Sequence, residues 1–491
     1  MSRSVRPFKI ARRPAGRSAR RTALRWLFLS HRWVGIAACL FFAMWFASGL
    51  VMLYVPYPTL SPAARWAGAT PINWTKVDVP PPVMAGQRRL LLEMRDVEPV
   101  WRIERDDGAI ETRPARTGAM LPAVGEIYAR RVVSRFMGIP AGEAERLVRD
   151  QWTVAGGFDR HRPLWRVRLN DIAGTDIYVS STTGVPVQRT IRVDRFWNWL
   201  GSVPHWLYPT ILRQDNAAWR QVVLWIAGPC IAVALTGIWI GILRVRLGRR
   251  RYKAGRISPY RGWLLWHHVS GLVGSVFLLT WIVSGWLSVD PGRLFAGTTA
   301  PVEALRRYRS LVGVGDIPLG RLASLTPNAK TVEMTNDAGL PRITIDAVSD
   351  HPQYLDAKTM APAGDATLAI IEATGSLVPN GLLWRIDRLT RPDVYWSATR
   401  TMPVLRLRFT DPARSWLYMN PMTGEVVNRQ DRARRLYRWA FDLLHTWNWL
   451  WLVERQPLRD IIIWLMSTFG VVLSVSGVWL GYRRLARDRP A

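Results

Sequence analysis

Residues 31–49 of the chain, HRWVGIAACLFFAMWFASG, contain no acidic residue, and their only basic residue is Arg32 at one end. A second stretch of the same length, HHVSGLVGSVFLLTWIVSG, occupies residues 267–285. The two stretches share a histidine, two glycines, a tryptophan and a serine at matching positions. A helix needs about 20 apolar residues to cross a bilayer core. The repeated pattern therefore predicts duplicated membrane helices.

Four uncharged apolar stretches reach this length, and each begins or ends near arginines. A basic leader precedes the first stretch, but the apolar run is too long for a signal-peptide core and no small-residue cleavage site follows it, so we expect an uncleaved anchor. The stretches are Trp33–Tyr54, Gln221–Leu243, Gly262–Val289 and Ile461–Tyr482.

The net charge of +31 comes from 67 Lys and Arg against 36 Asp and Glu. Twenty-one of the basic residues and one acid lie in residues 1–25, 244–261 and 482–491. The positive-inside rule makes these segments, and so both termini, cytoplasmic. The two long connections then lie outside, in the periplasm if the membrane is a bacterial inner membrane. Because membrane topology accounts for the charge, we do not expect nucleic-acid binding.

The long connections repeat as well, with an offset of 240 residues. Residues 166–171 match 406–411, and residues 178–184 match 418–424. Their alternating apolar and polar residues and Thr-Gly turns predict two small external α+β modules, with helices at Ala141–Trp152 and Asp365–Ile371. Two halves with an even number of spans share one orientation, so we expect a pseudo-twofold axis along the membrane normal.

The predicted fold is thus an α-helical membrane protein with four transmembrane helices in two duplicated halves and two external domains. The two cysteines, Cys39 and Cys230, fall inside apolar runs and are expected to be small buried residues. The predicted segments are a basic leader (1–25), a first span (26–54), an external domain (55–193), an interfacial helix with His205 (194–218), a second span (219–243), a basic loop (244–261), a third span (262–289), a second external domain (290–433), an interfacial helix with His445 (434–457), a fourth span (458–482) and a tail (483–491).

Four duplicated histidines lie within or beside the apolar stretches, where ionisable residues are costly and usually functional. His31 and His267 lie toward the cytoplasmic side, whereas His205 and His445 precede the second and fourth spans on the external side. We therefore expect the pairs His31 with His267 and His205 with His445. Two facing imidazoles suit axial ligation of haem iron. Zinc usually needs more protein ligands, and copper stays open by residue type.

Glycines on these helices are level with the two histidine pairs. They either give a flat macrocycle room against a helix or form helix-packing faces, and both interpretations stay open. They are Gly49, Gly285, Gly237, Gly241, Gly477 and Gly481.

The other histidines lack this symmetry. His268 has no counterpart, because Arg32 holds the matching position, and it is an alternative ligand to His267. His161 and His351 are expected to be solvated loop residues. Arginines near the membrane surfaces would either meet haem propionates or extend to the interface as ordinary flanking residues. Those named here are Arg195, Arg435, Arg213, Arg220, Arg455 and Arg459 outside, and Arg25, Arg32 and Arg261 inside.

The chain resembles the PepSY-associated transmembrane helix family, iron-regulated inner-membrane proteins that include ferric-siderophore reductases. The resemblance rests on Ser-His-Arg-Trp-Val-Gly at 30–35, its partner span at 267–271, the Thr-Gly hairpins at 178–187 and 418–427, the His205 and His445 segments, and Ser-Gly-Val-Trp-Leu-Gly at 476–481. These motifs extend over nearly the whole chain after about residue 22.

The resemblance implies two b-type haems held by His31, His267, His205 and His445, PepSY-like external domains, and electron transfer to ferric siderophore or another ferric chelate for iron uptake. The sequence has no glycine fingerprint of a flavin or dinucleotide domain, so the donor would be a separate cytoplasmic flavoprotein or a membrane quinol. Two alternatives stay open: reduction of another periplasmic acceptor, and a non-enzymatic, membrane-anchored PepSY binding module without haem.

Overall fold

The computed structural model describes residues 15–82, 84, 86–309, 317–396 and 402–487. Most of the predicted basic leader, residues 1–14, and residues 488–491 of the predicted tail lie outside the described residues. The first half contains helices α1 (Ala15–Tyr54) and α2 (Pro62–Ala67), strands β1 (Gln87–Arg95), β2 (Glu98–Arg105) and β3 (Ile110–Pro114), helix α3 (Glu126–Met137), strands β4 (Ala141–Leu147), β5 (Leu164–Leu169), β6 (Asp176–Ser180) and β7 (Pro186–Thr190), and helices α4 (Arg192–Leu200), α5 (Ser202–His205), α6 (Thr210–Arg213) and α7 (Asn216–Arg244).

The second half follows a similar order. It contains helices α8 (Trp263–Val273), α9 (Ser275–Leu287), α10 (Val302–Tyr308) and α11 (Leu319–Leu325), strands β8 (Thr331–Asp337), β9 (Leu340–Ile345) and β10 (Gln353–Asp356), helix α12 (Thr367–Thr374), strands β11 (Leu383–Leu389), β12 (Val404–Phe409), β13 (Trp416–Met419) and β14 (Val426–Gln430), helix α13 (Arg432–Tyr437), a π-helix (Arg438–Leu443), and helices α14 (Leu444–Thr446), α15 (Leu450–Val453) and α16 (Gln456–Arg487).

Three helices in the described part of the chain, α1, α7 and α16, are long and apolar enough to cross a membrane. The third predicted span is not one straight helix, because α8 and α9 are bent by 67° at Gly274. A Gly-Ser pair, Gly274 and Ser275, lies at the bend, and such pairs are a common site of sharp kinks. A Cβ at Gly274 would lie 3.3 Å from the Cβ of Phe469, so the absent side chain also lets α16 approach.

The long helices form a bundle in which α1 packs against α7 and α16, α7 packs against α9, and α8 packs against α16. Alanine, aromatic and branched aliphatic side chains fill its centre, including Ala38, Phe46, Ala227 and Ile282. The outside carries large apolar residues such as Leu40, which is 63% exposed. A surface of this kind suits lipid rather than water, so the chain is a multi-pass membrane protein. Cys39 and Cys230 are both buried and free, as expected.

The two long connections, which the charge pattern predicts to be external segments, share one six-stranded sheet of order β10-β9-β8-β1-β2-β3. The strands β1 and β8 pair antiparallel at its centre, with Leu91 opposite Glu333. Side chains alternate between its faces. One face, with Leu90 and Trp101, forms an apolar core, whereas the other carries buried charges such as Arg102. The local sequence patterns predict two separate modules and do not predict this pairing.

Each external segment also has its own four-stranded antiparallel sheet, β4-β5-β6-β7 or β11-β12-β13-β14. Their registers agree at the 240-residue offset, since Arg166 pairs with Tyr178 and Arg406 with Tyr418. The predicted Thr-Gly turns are present, and Gly184 has a φ of +73° that favours glycine.

The helix predicted at Ala141–Trp152 is wrong, because residues 141–147 form the edge strand β4. Pairing with β5 and the cross-strand ion pair of Glu145 with Arg166 outweigh the helix propensity of its Ala and Glu residues. The helix predicted at Asp365–Ile371 is present, as α12.

The predicted interfacial helices are present but broken. Gly201 separates α4 from α5, and the backbone at Trp447 turns left-handed (φ 54°) after α14. As a result α5 packs against α1 and α14 packs against α9. The short helices that carry His205 and His445 are thereby held against the bundle.

Candidate functional site

The structure brings the four duplicated histidines together in the two predicted pairs. His31 on α1 and His267 on α8 have ring centroids 6.5 Å apart. His205 on α5 and His445 on α14 have centroids 6.1 Å apart. All four rings are half-buried. Helix packing produces both contacts, because α1 and α8 share the neighbour α16, while α5 and α14 dock on α1 and α9.

Hydrogen bonds to the facing helix orient both rings of the His31–His267 pair, called the inner pair because it is predicted to lie toward the cytoplasm; the His205–His445 pair is called the outer pair. Nδ1 of His31 lies 3.2 Å from the carbonyl oxygen of Val233 and 3.3 Å from Oγ1 of Thr236. Nδ1 of His267 lies 3.2 Å from the carbonyl oxygen of Leu473 and 3.2 Å from Oγ of Ser476. A carbonyl oxygen only accepts, so Nδ1 carries the proton in both rings.

Serine hydroxyls orient both rings of the outer pair. Nδ1 of His205 lies 3.0 Å from Oγ of Ser48, and Nδ1 of His445 lies 3.0 Å from Oγ of Ser284. Each hydroxyl donates its own hydrogen to a backbone carbonyl one turn earlier, that of Met44 or of Trp281. The hydroxyl therefore accepts from the imidazole, and Nδ1 carries the proton here too.

The same tautomer follows for all four rings, with Nε2 unprotonated. No described residue hydrogen-bonds to Nε2 in any of them. A metal-bound histidine commonly has this arrangement, because it donates its second ring nitrogen to an oxygen that fixes the ring and raises its basicity. The four imidazoles are thus oriented to offer a lone pair.

Four of the six glycines named from the sequence lie against these rings. A Cβ at Gly237 would lie 2.7 Å from Cε1 of His31, and a Cβ at Gly49 would lie 3.3 Å from Cε1 of His205. Gly285 and Gly477 face His445 and His267 at 3.3 and 3.5 Å in the same way. The remaining two are helix-packing positions, since Gly241 faces Leu272 and Gly481 faces Ile36.

A π-helix lies beside the outer pair. Phe441, on this segment, stacks on His445 with centroids 5.2 Å apart and planes at 30°. Single π-turns inside helices are frequent at functional sites. In the first half the matching position is Gly201, so the two sides of the outer pair are lined differently.

His268 is not placed to act as a ligand. Its Nδ1 lies 2.9 Å from Oγ of Ser258, and its Nε2 lies 3.1 Å from the carbonyl oxygen of Gly241. Both ring nitrogens are therefore engaged, and the residue ties the basic loop 244–261 to α7. His267 keeps the free nitrogen.

The two external histidines differ from each other. His351 is exposed, as expected. His161 is only 8% exposed, so the expectation of a solvated loop residue is wrong for it. Burial, followed by the positive charges of Arg160, Arg102 and Arg65, lowers the pKa of His161 to about 4.

The arginines named as propionate partners are mostly engaged elsewhere. Arg195 donates to Thr190 and faces Asp176, and Arg435 donates to the carbonyl of Arg414. Both therefore hold the external sheets. Arg220 donates to the carbonyl of Val289 just after α9, Arg459 to that of Thr446 and Arg455 to that of Trp451. Arg213 lies over the rings of Tyr208 and Trp219. The remaining three are exposed without a side-chain partner among the described residues: Arg25, Arg32 and Arg261.

The spacing of the pairs fits a metal between two imidazoles. A metal–nitrogen bond to histidine is about 2.0–2.1 Å long, and the nitrogen lies about 1.1 Å from the centre of its ring. Two imidazoles on opposite sides of one metal therefore have centroids about 6.3 Å apart. Within the described residues no three His, Cys, Asp or Glu side chains form a metal-binding group, which disfavours zinc there. Haem brings its own equatorial ligands and needs only two from the protein. The donor set therefore fits haem.

No protein-family model matches the chain, and no curated protein matches it. The family resemblance drawn from the motifs stays a prediction.

Sequence reasoning missed the side-chain partners on the facing helices. Thr236 and Ser476 are 240 residues apart, as are Val233 and Leu473. The signal was available in the duplication, since a hydroxyl stands immediately before Gly237 and Gly477 in both halves. Ser48 and Ser284 were noticed as repeated positions but were given no role.

Proposed function

We propose that the chain is an inner-membrane haem b oxidoreductase that moves electrons outward across the bilayer and reduces a ferric chelate in the periplasm. The observation that carries this proposal is the tautomer shared by the two histidine pairs. Each ring commits Nδ1 to an oxygen and leaves Nε2 free, and the ring centroids lie 6.5 and 6.1 Å apart. These are the features that two haem sites require.

Haem b, when bound, supplies a one-electron ferric–ferrous couple at each pair. The chain's own residues hold and tune it. The four imidazoles would supply the ligating nitrogens, and the carbonyl or hydroxyl that accepts from Nδ1–H would strengthen each nitrogen as a donor. Gly237 and Gly49 leave room beside the rings.

The duplication supports two equivalent sites. We count the bent pair α8–α9 as one crossing, which gives two crossings in each half and a pseudo-twofold axis along the membrane normal. Contacts made by His31 recur at His267, and contacts made by His205 recur at His445. The flanking positive charge makes the His31 pair cytoplasmic and the His205 pair periplasmic.

The segment between the pairs is apolar and aromatic. Phe46 and Trp281 are in edge-to-face contact at 5.9 Å in the bundle core. The indole of Trp45 donates to the carbonyl oxygen of His205 at 3.0 Å and so fixes α5 to α1. This packing excludes water from the space between the sites, which favours a buried redox couple over side reactions.

The external domains would hold the substrate, a ferric siderophore or other ferric chelate. One electron per iron converts the ferric to the ferrous ion. A chelator with hard oxygen donors binds ferrous iron less tightly, so reduction releases the metal. The donor is a separate cytoplasmic flavoprotein or a membrane quinol.

The outer pair provides the sharpest test. Protein purified in detergent is reduced with dithionite, freed of excess reductant and mixed anaerobically with ferric citrate, and ferrous iron is measured with ferrozine. His205→Ala should lower the rate at least about tenfold while the inner site stays reducible. His351→Ala, at an exposed external histidine, is the control. An unchanged rate in His205→Ala would contradict the proposal.

A further inference from the structure

A cleft of about 240 Å³ opens on the first external domain, between the charged face of the six-stranded sheet, α2 and the turn that carries His161. Four arginines and one carboxylate line it. They are Arg65, Arg89, Arg102, Arg160 and Glu104, and the rest of the lining apart from His161 is apolar.

The positive charge in this cleft is only partly compensated. Arg102 pairs with Glu93 at 2.7 Å, and Arg89 pairs with Glu333. The Nε atoms of both arginines are nevertheless buried without a partner. Glu104 pairs with Arg88, which lies outside the cleft, at 3.1 Å.

Two of the arginines make no side-chain hydrogen bond and no close ion pair within the described part of the chain. Arg65 is half-buried and Arg160 is exposed, and neither guanidinium makes a hydrogen bond or ion pair with a described residue. A half-buried guanidinium without an acceptor gives up hydration with no compensating bond. An anion that enters the cleft would supply the missing acceptors.

His161 gives an independent indication that the cleft is built for a ligand. Its side chain is more than nine-tenths buried and lines the cleft, yet its Nδ1 has no hydrogen-bond partner. Buried polar atoms are almost always paired. Burial and the cationic neighbours lower the pKa of the ring, so His161 adds no positive charge to the cleft near neutral pH.

At the strand position equivalent to Arg102, the second half of the sheet carries an uncharged residue. In the first half of the sheet, Arg102 on β2 lies opposite Leu91 on β1. In the second half, Thr344 on β9 lies opposite Glu333 on β8 in the same way. A threonine therefore satisfies the equivalent strand position. The cleft-lining Arg102 therefore has no arginine counterpart at the equivalent position of β9, whereas the four histidines are repeated in both halves.

We propose that this cleft binds a small polycarboxylate, and, resting on the function proposed above, that the polycarboxylate is the chelator of the ferric substrate. Several separated guanidinium groups suit several carboxylates, because each guanidinium forms charge-assisted and often bidentate hydrogen bonds. The apolar lining, which includes Leu60, Leu91 and Val187, suits a carbon skeleton rather than inorganic phosphate. The volume is below that of sites for drug-sized ligands and suits a small molecule.

Calorimetric titration tests the proposal. The full chain in detergent is titrated with citrate in one arm and with redox-inert gallium citrate in the other. We expect saturable binding that weakens about tenfold in Arg65→Gln and in His161→Gln, and about a hundredfold in the double variant Arg65→Gln/Arg160→Gln. Arg321→Gln removes an exposed charge on α11, outside the cleft, and should bind normally.

Each outcome decides a specific part of the proposal. No binding at millimolar concentrations in either arm, or binding that Arg65→Gln and the double variant leave unchanged, overturns the site. Binding of citrate but not of gallium citrate supports the site and overturns the chelate assignment. If the purified chain contains no haem but binds citrate in a way that the cleft variants weaken, the binding site is supported and the reductase function is contradicted. The failure of one proposal can therefore be told from the failure of the other.

Discussion

Nδ1 of His205 lies 3.0 Å from the hydroxyl of Ser48, and that hydroxyl donates to the carbonyl oxygen of Met44. The bond therefore runs in one direction, from the imidazole to the serine. It leaves Nε2 of His205 as the nitrogen that can bind a metal. His445 and Ser284 repeat the relationship. In the outer pair, the hydrogen bond to serine therefore determines which ring nitrogen can bind a metal.

Removing this acceptor should weaken the outer site selectively. In Ser48→Ala we expect haem affinity at the outer pair to fall about 10–100-fold. Its midpoint potential should rise, because a less basic imidazole stabilises ferric iron less. Potentiometric titration of the visible spectrum measures the change. Thr468→Ala removes an exposed hydroxyl with a similar backbone bond, and this control should leave both potentials unchanged.

The glycine beside the inner pair should be intolerant of a methyl group. A Cβ at Gly237 would lie 2.7 Å from Cε1 of His31, closer than real Cβ contacts allow, so the ring must move. We expect Gly237→Ala to lose the inner haem, which lowers the haem-to-protein ratio by about half. Gly228→Ala lies on the same helix with 3.9 Å to its nearest neighbour and should retain the full content. Equal haem content in the two variants would refute the role of Gly237.

The adjacent histidines of α8 should behave differently. His267→Gln removes a free Nε2 and should abolish one haem, whereas His268→Gln removes a ring whose two nitrogens already have partners. We expect His268→Gln to keep both haems and to loosen the basic loop 244–261. Haem content and limited proteolysis of the loop measure the two effects. Haem loss in His268→Gln alone would reverse the assignment.

The buried external histidine should make the protein sensitive to acid. The pKa of His161 is lowered to about 4, chiefly by burial, whereas an unfolded histidine titrates near 6.5. Between these values the unfolded chain binds more protons, so stability falls as the pH drops from about 6.5 to 4, by at most about 3 kcal/mol. Thermal unfolding at pH 7 and pH 4.5 should show a smaller loss in His161→Gln. His351→Gln, at an exposed residue, should follow the unmodified chain.

The features that the sequence predicted best are those fixed by local pattern. The length of the apolar stretches predicted the long helices. The position of each histidine along its stretch predicted which histidines form a pair. The pairing of β1 with β8 joins strands about 240 residues apart in the chain, and no local pattern encodes such a contact. The strand at Ala141–Leu147 has a helix-forming composition, and only its partner β5 makes it extended.

The candidate site shows the same division. Residue type and duplication identified the four histidines, whereas the direction of each ring depends on the hydroxyl and carbonyl opposite it on another helix. Those partners, such as Thr236, become visible only when the helices are packed. The basic cleft was also not predicted, since α2, the strands β1, β2, β3 and β7, and the turn at His161 come together only in the fold.

Both histidine pairs are proposed to hold haem. The most direct test is the absorption spectrum of the detergent-purified protein, oxidised and dithionite-reduced, with pyridine extraction to count haem per chain. We predict b-type spectra and two haems in the unmodified chain, and one haem in His205→Ala. Colourless protein from haem-replete cells would contradict the claim, as would bound copper with no haem.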